Sequence, residues 1–238
     1  MKLKKINIVF IFFFIILYAL IIYKYQYLKF PNTYTITEWL INYQGGFVRR
    51  GLLGEILYFF YEKKLFNLPN IFYFLLSFLY SLIIFLYFNL INKLKIDKIL
   101  LIQLLSPLFL IYPLIEIDII GRKEIFLILF LLLYVNFFIN NSIKFQLSYI
   151  FLSTNLLFLI HEGLIFYFQF FLLIFFISNI NRVKNKDLIL ISIFGCLYSI
   201  FLIYFTLFFF KDSSPQTYQI INSYSDLTNI GWFQTFLS

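Results

Sequence analysis

Two adjacent arginines, Arg49 and Arg50, follow a glycine pair in the segment Asn42–Gly54. The glycines permit backbone conformations that are closed to other residues, and the arginines stand where a short apolar helix, Leu52–Tyr61, is predicted to begin. Free N–H groups at a helix start favour an anion, and guanidinium groups bind phosphate through paired hydrogen bonds. The segment indicates either a phosphate or pyrophosphate site or an interfacial helix whose arginines touch lipid headgroups.

A second charged motif, Glu116–Glu124, places five charges in nine residues between two apolar runs. Asp118 is its best candidate for a general base, and Arg122 and Lys123 are candidates for holding a second phosphate. The alternative is a solvated loop whose charges form local ion pairs.

The chain's single histidine, His161, is followed by Glu162 inside the long apolar run Leu147–Ser178. Ionisable residues in such a run are costly and indicate function. Adjacent helical residues point about 100° apart, so both side chains can reach one site only from a turn. The alternative is a pair that caps two helix ends at the membrane interface.

Glu38, in the sequence Thr35–Trp39, is a further candidate base in the first loop. The alternative is an interfacial glutamate beside an anchoring tryptophan.

The sequence lacks the motifs of several common metal, redox, nucleotide and hydrolase sites. The chain has no HExxH, CxxC, Walker A, GxGxxG or GxSxG motif, and one histidine cannot supply two metal ligands. The sequence therefore predicts no metal site and identifies no cofactor. Cys196, in the middle of an apolar run, is interpreted as packing.

The composition indicates a membrane protein. Hydrophobic residues make up 62% of the 238 residues and charged residues 13%, against about half and about a quarter in soluble domains. So little charge excludes intrinsic disorder, and one cysteine excludes a disulfide scaffold. The net charge of +8 is attributed to membrane topology, so membrane lipid is an expected partner and nucleic acid is not.

Hydropathy predicts an all-α, polytopic transmembrane bundle forming one membrane domain over residues 1–238. A spanning helix needs about 20 apolar residues. As one helix, Leu147–Ser178 would run about 48 Å against a hydrocarbon core of about 30 Å, so it is predicted to form two short helices that meet at His161–Gly163. The seven predicted spans are Ile6–Tyr23 (an uncleaved anchor), Asn70–Ile91, Ile99–Ile115, Ile125–Ile139, the two halves of Leu147–Ser178, and Leu188–Phe210.

Charge asymmetry predicts a cytoplasmic N-terminus in a multi-pass protein of the cytoplasmic membrane. The basic residues then inside are Lys2, Lys4, Lys5, Lys93, Lys95, Lys98, Lys144, Arg182, Lys184 and Lys186, with Asp97 and Asp187 as the acidic ones. The residues with candidate chemistry fall at the outer face: Glu38, Arg49, Arg50, Glu116, Asp118, Arg122, Lys123, Glu124, His161 and Glu162. The predicted helix Leu52–Tyr61 then lies at the interface in the first outer loop.

This layout has an N-terminal anchor, an acidic residue in the first outer loop and basic residues clustered in several outer loops. It resembles the O-antigen and capsule polymerases and related polyprenyl-phosphate-dependent membrane glycosyltransferases. The resemblance is one of layout over the chain and of residues at Glu38–Glu55 and Glu116–Glu124. It implies a polyprenyl-phosphate-linked glycan as substrate, Glu38 as base, and Arg49, Arg50 and Arg122 on the lipid pyrophosphate. Such proteins usually have more spans, so the chain is expected to be a minimal member or an incomplete one.

The concrete hypothesis is glycosyl transfer or polymerisation in cell-surface polysaccharide synthesis. Asp118, Glu38 or Glu162 would accept the proton of the acceptor hydroxyl, with His161 in the same site, while Arg49, Arg50, Arg122 and Lys123 stabilise the leaving pyrophosphate. The alternatives are a transporter or lipid-carrier flippase that uses the same arginines, and a non-catalytic membrane subunit.

Overall fold

The computed structural model describes residues 12, 15–19, 38–44, 50–63, 68–93 and 121–209, and within these ranges it contains helices and no strand. The main helices are α1 (Gly51–Glu62), α2 (Leu68–Lys93), α3 (Ile125–Leu133), α4 (Ile143–Ile160), α5 (Phe168–Asn179) and α6 (Asn185–Phe209). A π-helical turn, Tyr134–Phe138, continues α3, and a 3-10 turn, Glu162–Tyr167, precedes α5. The predicted all-α class is confirmed for these residues.

The break predicted within Leu147–Ser178 is confirmed. Helix α4 ends at Ile160, His161 is extended at φ −161° and ψ 117°, and the 3-10 turn begins at Glu162. Two segments of membrane-spanning length result, Ile143–Ile160 and Glu162–Asn179. The ionisable pair therefore lies at a helix junction and not in the middle of one long helix.

Four helical segments among the described residues are long and apolar enough to cross a membrane. They are Phe74–Lys93, Ile143–Ile160, Glu162–Asn179 and Lys186–Phe205, and a shorter apolar segment covers Ile125–Phe138. The predicted span Ile99–Ile115 lies outside the described residues, as does Ile6–Tyr23 apart from helical residues 12 and 15–19. Helix α1 coincides with the predicted helix Leu52–Tyr61.

Consecutive helices run between two ends of the bundle. The first, here called the charged end, comprises Glu38, Arg50, Lys123, His161 and Glu162, where α1 and α3 begin and α4 meets the 3-10 turn. About 27 Å away, the length of an 18-residue helix, α4 begins at the opposite end.

That opposite end, here called the amide end, comprises Asn89, Asn136, Gln146 and Asn179. Asn136 lies in the π-helical turn, accepts a hydrogen bond from Asn89 (2.9 Å) and donates to the carbonyl of Leu86 (3.1 Å). The Asn179 amide donates to Gln146 Oε1 at 2.8 Å, and both side chains are fully buried. These mutually satisfied amides join α2, α3, α4 and α5, as interhelical amide bonds do in membranes. No local sequence pattern indicates these contacts, because they join residues that are distant in the chain.

Candidate functional site

Trp39 anchors the segment that carries Glu38. Its indole is fully buried, with its ring centroid 5.1 Å from that of Phe72 and 5.6 Å from that of Phe126. The indole N–H donates to the carbonyl of Gly121, a residue with φ 101° that opens the turn before α3. Aromatic packing and one hydrogen bond thus fix the backbone next to Glu38 against α2 and α3.

Residues 40–44 cross the start of α1 at very close range. The Gly54 backbone lies so near that an added Cβ would be 1.9 Å from the carbonyl oxygen of Ile41. The Glu55 carboxylate then accepts hydrogen bonds from the Tyr43 backbone N–H (2.9 Å) and the Gln44 side-chain amide (2.7 Å). A glycine and a glutamate on α1 therefore hold this segment in place.

Arg50 joins the three distant parts of the site. Its Nε lies 3.0 Å and 2.9 Å from the two carboxylate oxygens of Glu162, and its Nη2 lies 2.8 Å from Glu162 Oε1. Its Nη1 donates to Oε1 of Glu38. All three side chains are about three-quarters buried or more. One guanidinium thus bridges two carboxylates, and this is the geometry that planar arginine provides and lysine does not.

Lys123 lies beneath this bridge with only 1% of its surface exposed. Its ammonium donates to the backbone carbonyl of Arg50 at 3.1 Å. Burial lowers the pKa of Lys123 to about 7; the Glu38 carboxylate opposes the shift and the Arg50 guanidinium adds to it. With Lys123 protonated, two cations balance two carboxylates within the cluster.

His161 caps the 3-10 turn that carries Glu162. Its Nδ1 accepts the Gly163 backbone N–H at 3.0 Å, so the neutral ring carries its hydrogen on Nε2. Burial lowers the pKa of His161, and the Arg50 guanidinium adds to that shift. His161 is therefore built to remain a neutral hydrogen-bond donor.

Five of the eight residues selected from sequence meet at the charged end: Glu38, Arg50, Lys123, His161 and Glu162. Arg122 is exposed and directly precedes Lys123 in the chain, in the segment before α3. Arg49 and Asp118 lie outside the described residues. Sequence reasoning missed Glu55 and the pairing of Arg50 with both carboxylates, because no spacing rule links residues 12 and 112 positions apart.

Glu38 has an open carboxylate oxygen among the described residues. Among the described residues, Glu38 uses one carboxylate oxygen, Oε1, for its bond to Arg50, and no hydrogen bond is made to Oε2. Both oxygens of Glu162 are instead engaged by the guanidinium. The described residues contain no group of three His, Cys, Asp or Glu side chains suited to a metal ion.

Comparison of the chain with protein-family models, curated proteins and solved structures finds no match.

Proposed function

We propose that this protein is a membrane-embedded glycosyltransferase or polymerase of cell-surface polysaccharide synthesis. It takes a polyprenyl-pyrophosphate-linked sugar at the outer face of the cytoplasmic membrane. The observation that carries the proposal is the convergence of Glu38, Arg50, Lys123 and the His161–Glu162 pair at one end of an apolar bundle. Ionisable groups are retained there at a free-energy cost that apolar packing would avoid.

In this proposal Glu38 is the general base. Its Oε2 takes the proton of the acceptor hydroxyl. The acceptor's hydroxyl oxygen bonds to C1 of the donor sugar as the bond from C1 to the pyrophosphate oxygen breaks. The lipid pyrophosphate leaves with the bonding pair, and water later removes the proton from Glu38. The Nε2–H of His161 is a donor available to orient a sugar hydroxyl.

The leaving pyrophosphate is assigned chiefly to Arg122, with Arg49 as a second candidate. Arg122 is exposed and next to Lys123 in the chain, whereas the nitrogens of Arg50 contact carboxylates and Lys123 is buried. An anion added at Arg50 would have to displace a carboxylate, and that lowers its value as a phosphate ligand. Arg50 and Lys123 act in this proposal by holding the carboxylates.

The proposed topology has seven spans, a cytoplasmic N-terminus, α1 in the first outer loop and the charged end outside. It is supported by the exposed basic residues Lys93, Lys144 and Arg182, which lie at the amide end, because short cytoplasmic loops are enriched in Lys and Arg. We expect a cysteine at position 122 to react with a membrane-impermeant maleimide in intact cells, and one at 184 only after permeabilisation. Cys196→Ser is the background, and the reverse pattern would contradict an outer site.

The proposed activity is tested with the full chain in proteoliposomes and a synthetic polyprenyl-pyrophosphate disaccharide with a radiolabelled sugar. We expect release of polyprenyl pyrophosphate together with a lengthened glycan. Arg122→Met should raise KM by about ten- to a hundredfold, the value of one charge-assisted bond, whereas Arg182→Met, exposed at the amide end, should not. Absence of turnover and of binding by this probe would refute the proposal.

A transporter or lipid-carrier flippase is the second candidate. The ion pair between Arg50 and Glu162 favours it, because this non-covalent contact links the segment before α1 to the α4–α5 junction. A bound anionic substrate would break the ion pair by competing with Glu162 for Arg50. A transporter requires position 122 to change its accessibility from one side of the membrane to the other when the disaccharide probe is present. An enzyme with a fixed outer site leaves it labelled from outside throughout.

A further inference from the structure

We propose that Lys123 is a positioning residue, which holds Arg50 in the left-handed backbone conformation that directs its guanidinium between Glu38 and Glu162. Its importance for catalysis, through the position of the Glu38 carboxylate, rests on the proposed function. The structural role of Lys123 does not.

The backbone of Arg50 is the unusual feature. Among the described residues it is the one non-glycine with positive φ, at φ 64° and ψ 16°. L-residues avoid this region because Cβ crowds the following carbonyl oxygen, and the residues that enter it most readily besides glycine are asparagine and aspartate, whose short polar side chains bond locally. Such conformations persist when surrounding contacts over-determine them, and they concentrate at functional sites.

Lys123 supplies a contact of that kind. Its ammonium donates to the carbonyl of Arg50 itself at 3.1 Å, from a fully enclosed position. Two residues earlier, the Gly121 carbonyl accepts the indole N–H of Trp39. The turn at residues 121–123 therefore holds two segments of the site. It holds the Glu38 segment through Trp39 and the start of α1 through Arg50.

Lys123 donates its hydrogen bond to a neutral carbonyl although charged side chains surround it. Glu38, Arg50, Glu162 and Glu124 all act on it electrostatically, and His161 lies in the same cluster. Among the described residues, the hydrogen bond it makes is to a backbone carbonyl and not to either carboxylate. Lys123 thus holds the backbone conformation of Arg50 in addition to balancing the charge of the carboxylates.

The test needs no substrate, so its failure is distinguishable from failure of the proposed function. The detergent-purified full chain is treated with phenylglyoxal, and modification of Arg50 is quantified by mass spectrometry relative to exposed Arg182. We expect Lys123→Met to speed Arg50 modification about fivefold or more, because the guanidinium leaves its carboxylates when the strained conformation relaxes. Backbone hydrogen exchange over residues 50–57 should rise with it, while exchange over α4 should not.

Lys123→Gln and Lys144→Met are the matched variants. Glutamine keeps an N–H donor, one bond nearer to the backbone than the lysine ammonium, and should restore part of the slow modification of Arg50. Lys144→Met removes an exposed lysine and should behave as wild type. Unchanged Arg50 reactivity in Lys123→Met overturns the proposal. Equal acceleration in Lys123→Gln overturns it too, and so does failure of both Lys123 variants to fold, since the lysine would then matter for its charge or packing and not for the bond.

Discussion

Glu38→Gln is expected to lower turnover of the lipid-linked disaccharide by about 10² to 10⁴-fold, the usual contribution of a positioned general base. The amide keeps the size of the carboxylate and can still offer one oxygen to Arg50, so the change removes the proton acceptor and the charge of one ion pair but keeps the hydrogen bond. The measurement is kcat in proteoliposomes, with thermal unfolding in detergent as the check on folding. We expect the unfolding midpoint to fall less than in Glu162→Gln, because Glu38 contacts Arg50 through one oxygen and Glu162 through two. KM should stay near its wild-type value.

Glu162→Gln is the matched comparison, because it removes the other carboxylate that Arg50 contacts. Glu162 engages the guanidinium through both oxygens, so its loss leaves a largely buried cation short of a partner. We expect a loss of about 1.5 to 3 kcal/mol in stability, the range for bonds to charged groups. Full activity in Glu38→Gln would contradict the assignment of Glu38 as the general base. A stability loss larger than that of Glu162→Gln would reassign Glu38 as the structural carboxylate.

The described helices were largely predictable from the sequence, because the length of each apolar run can be compared with the thickness of the bilayer core. Leu147–Ser178 was too long for one span, and the break falls at His161 as expected. The last span, predicted at Leu188–Phe210, is α6, Asn185–Phe209. The π-helical turn at Tyr134–Phe138 was not predicted, and neither was the hydrogen bond that Asn136, within it, donates to the Leu86 carbonyl of another helix.

The site was predictable as a set of residues but not as a set of contacts. Glu38, Arg50 and Glu162 were each selected because a charge stood in an unusual place, and the structure brings all three together. Which charge neutralises which depends on tertiary approach, so Arg50 was expected on a phosphate and lies on two carboxylates. The burial of Lys123 was equally unpredictable from a run of adjacent charges.

Gly54→Ala is expected to destabilise the protein by about 1 to 3 kcal/mol, as overpacking of a buried position does. The new Cβ would stand 1.9 Å from the Ile41 carbonyl oxygen and 2.8 Å from the Leu40 carbonyl carbon, and both are backbone atoms. No rotamer change can relieve such a clash, so the segment carrying Glu38 must move away from α1. The readouts are the midpoint of thermal unfolding in detergent and turnover in proteoliposomes.

Gly195→Ala is the control for this prediction. Its added Cβ would meet side-chain atoms and no backbone, Leu172 Cδ1 at 2.7 Å and the ring atom Cε1 of Phe168 at 3.0 Å. These side chains can shift, and alanine favours a helix interior over glycine by about 1 kcal/mol, so the loss should be clearly smaller than at Gly54. Comparable losses at both positions would indicate a generally intolerant bundle. A loss confined to Gly54, with turnover falling further than the unfolded fraction explains, would indicate that close packing of α1 on residues 40–41 sets the position of the Glu38 carboxylate.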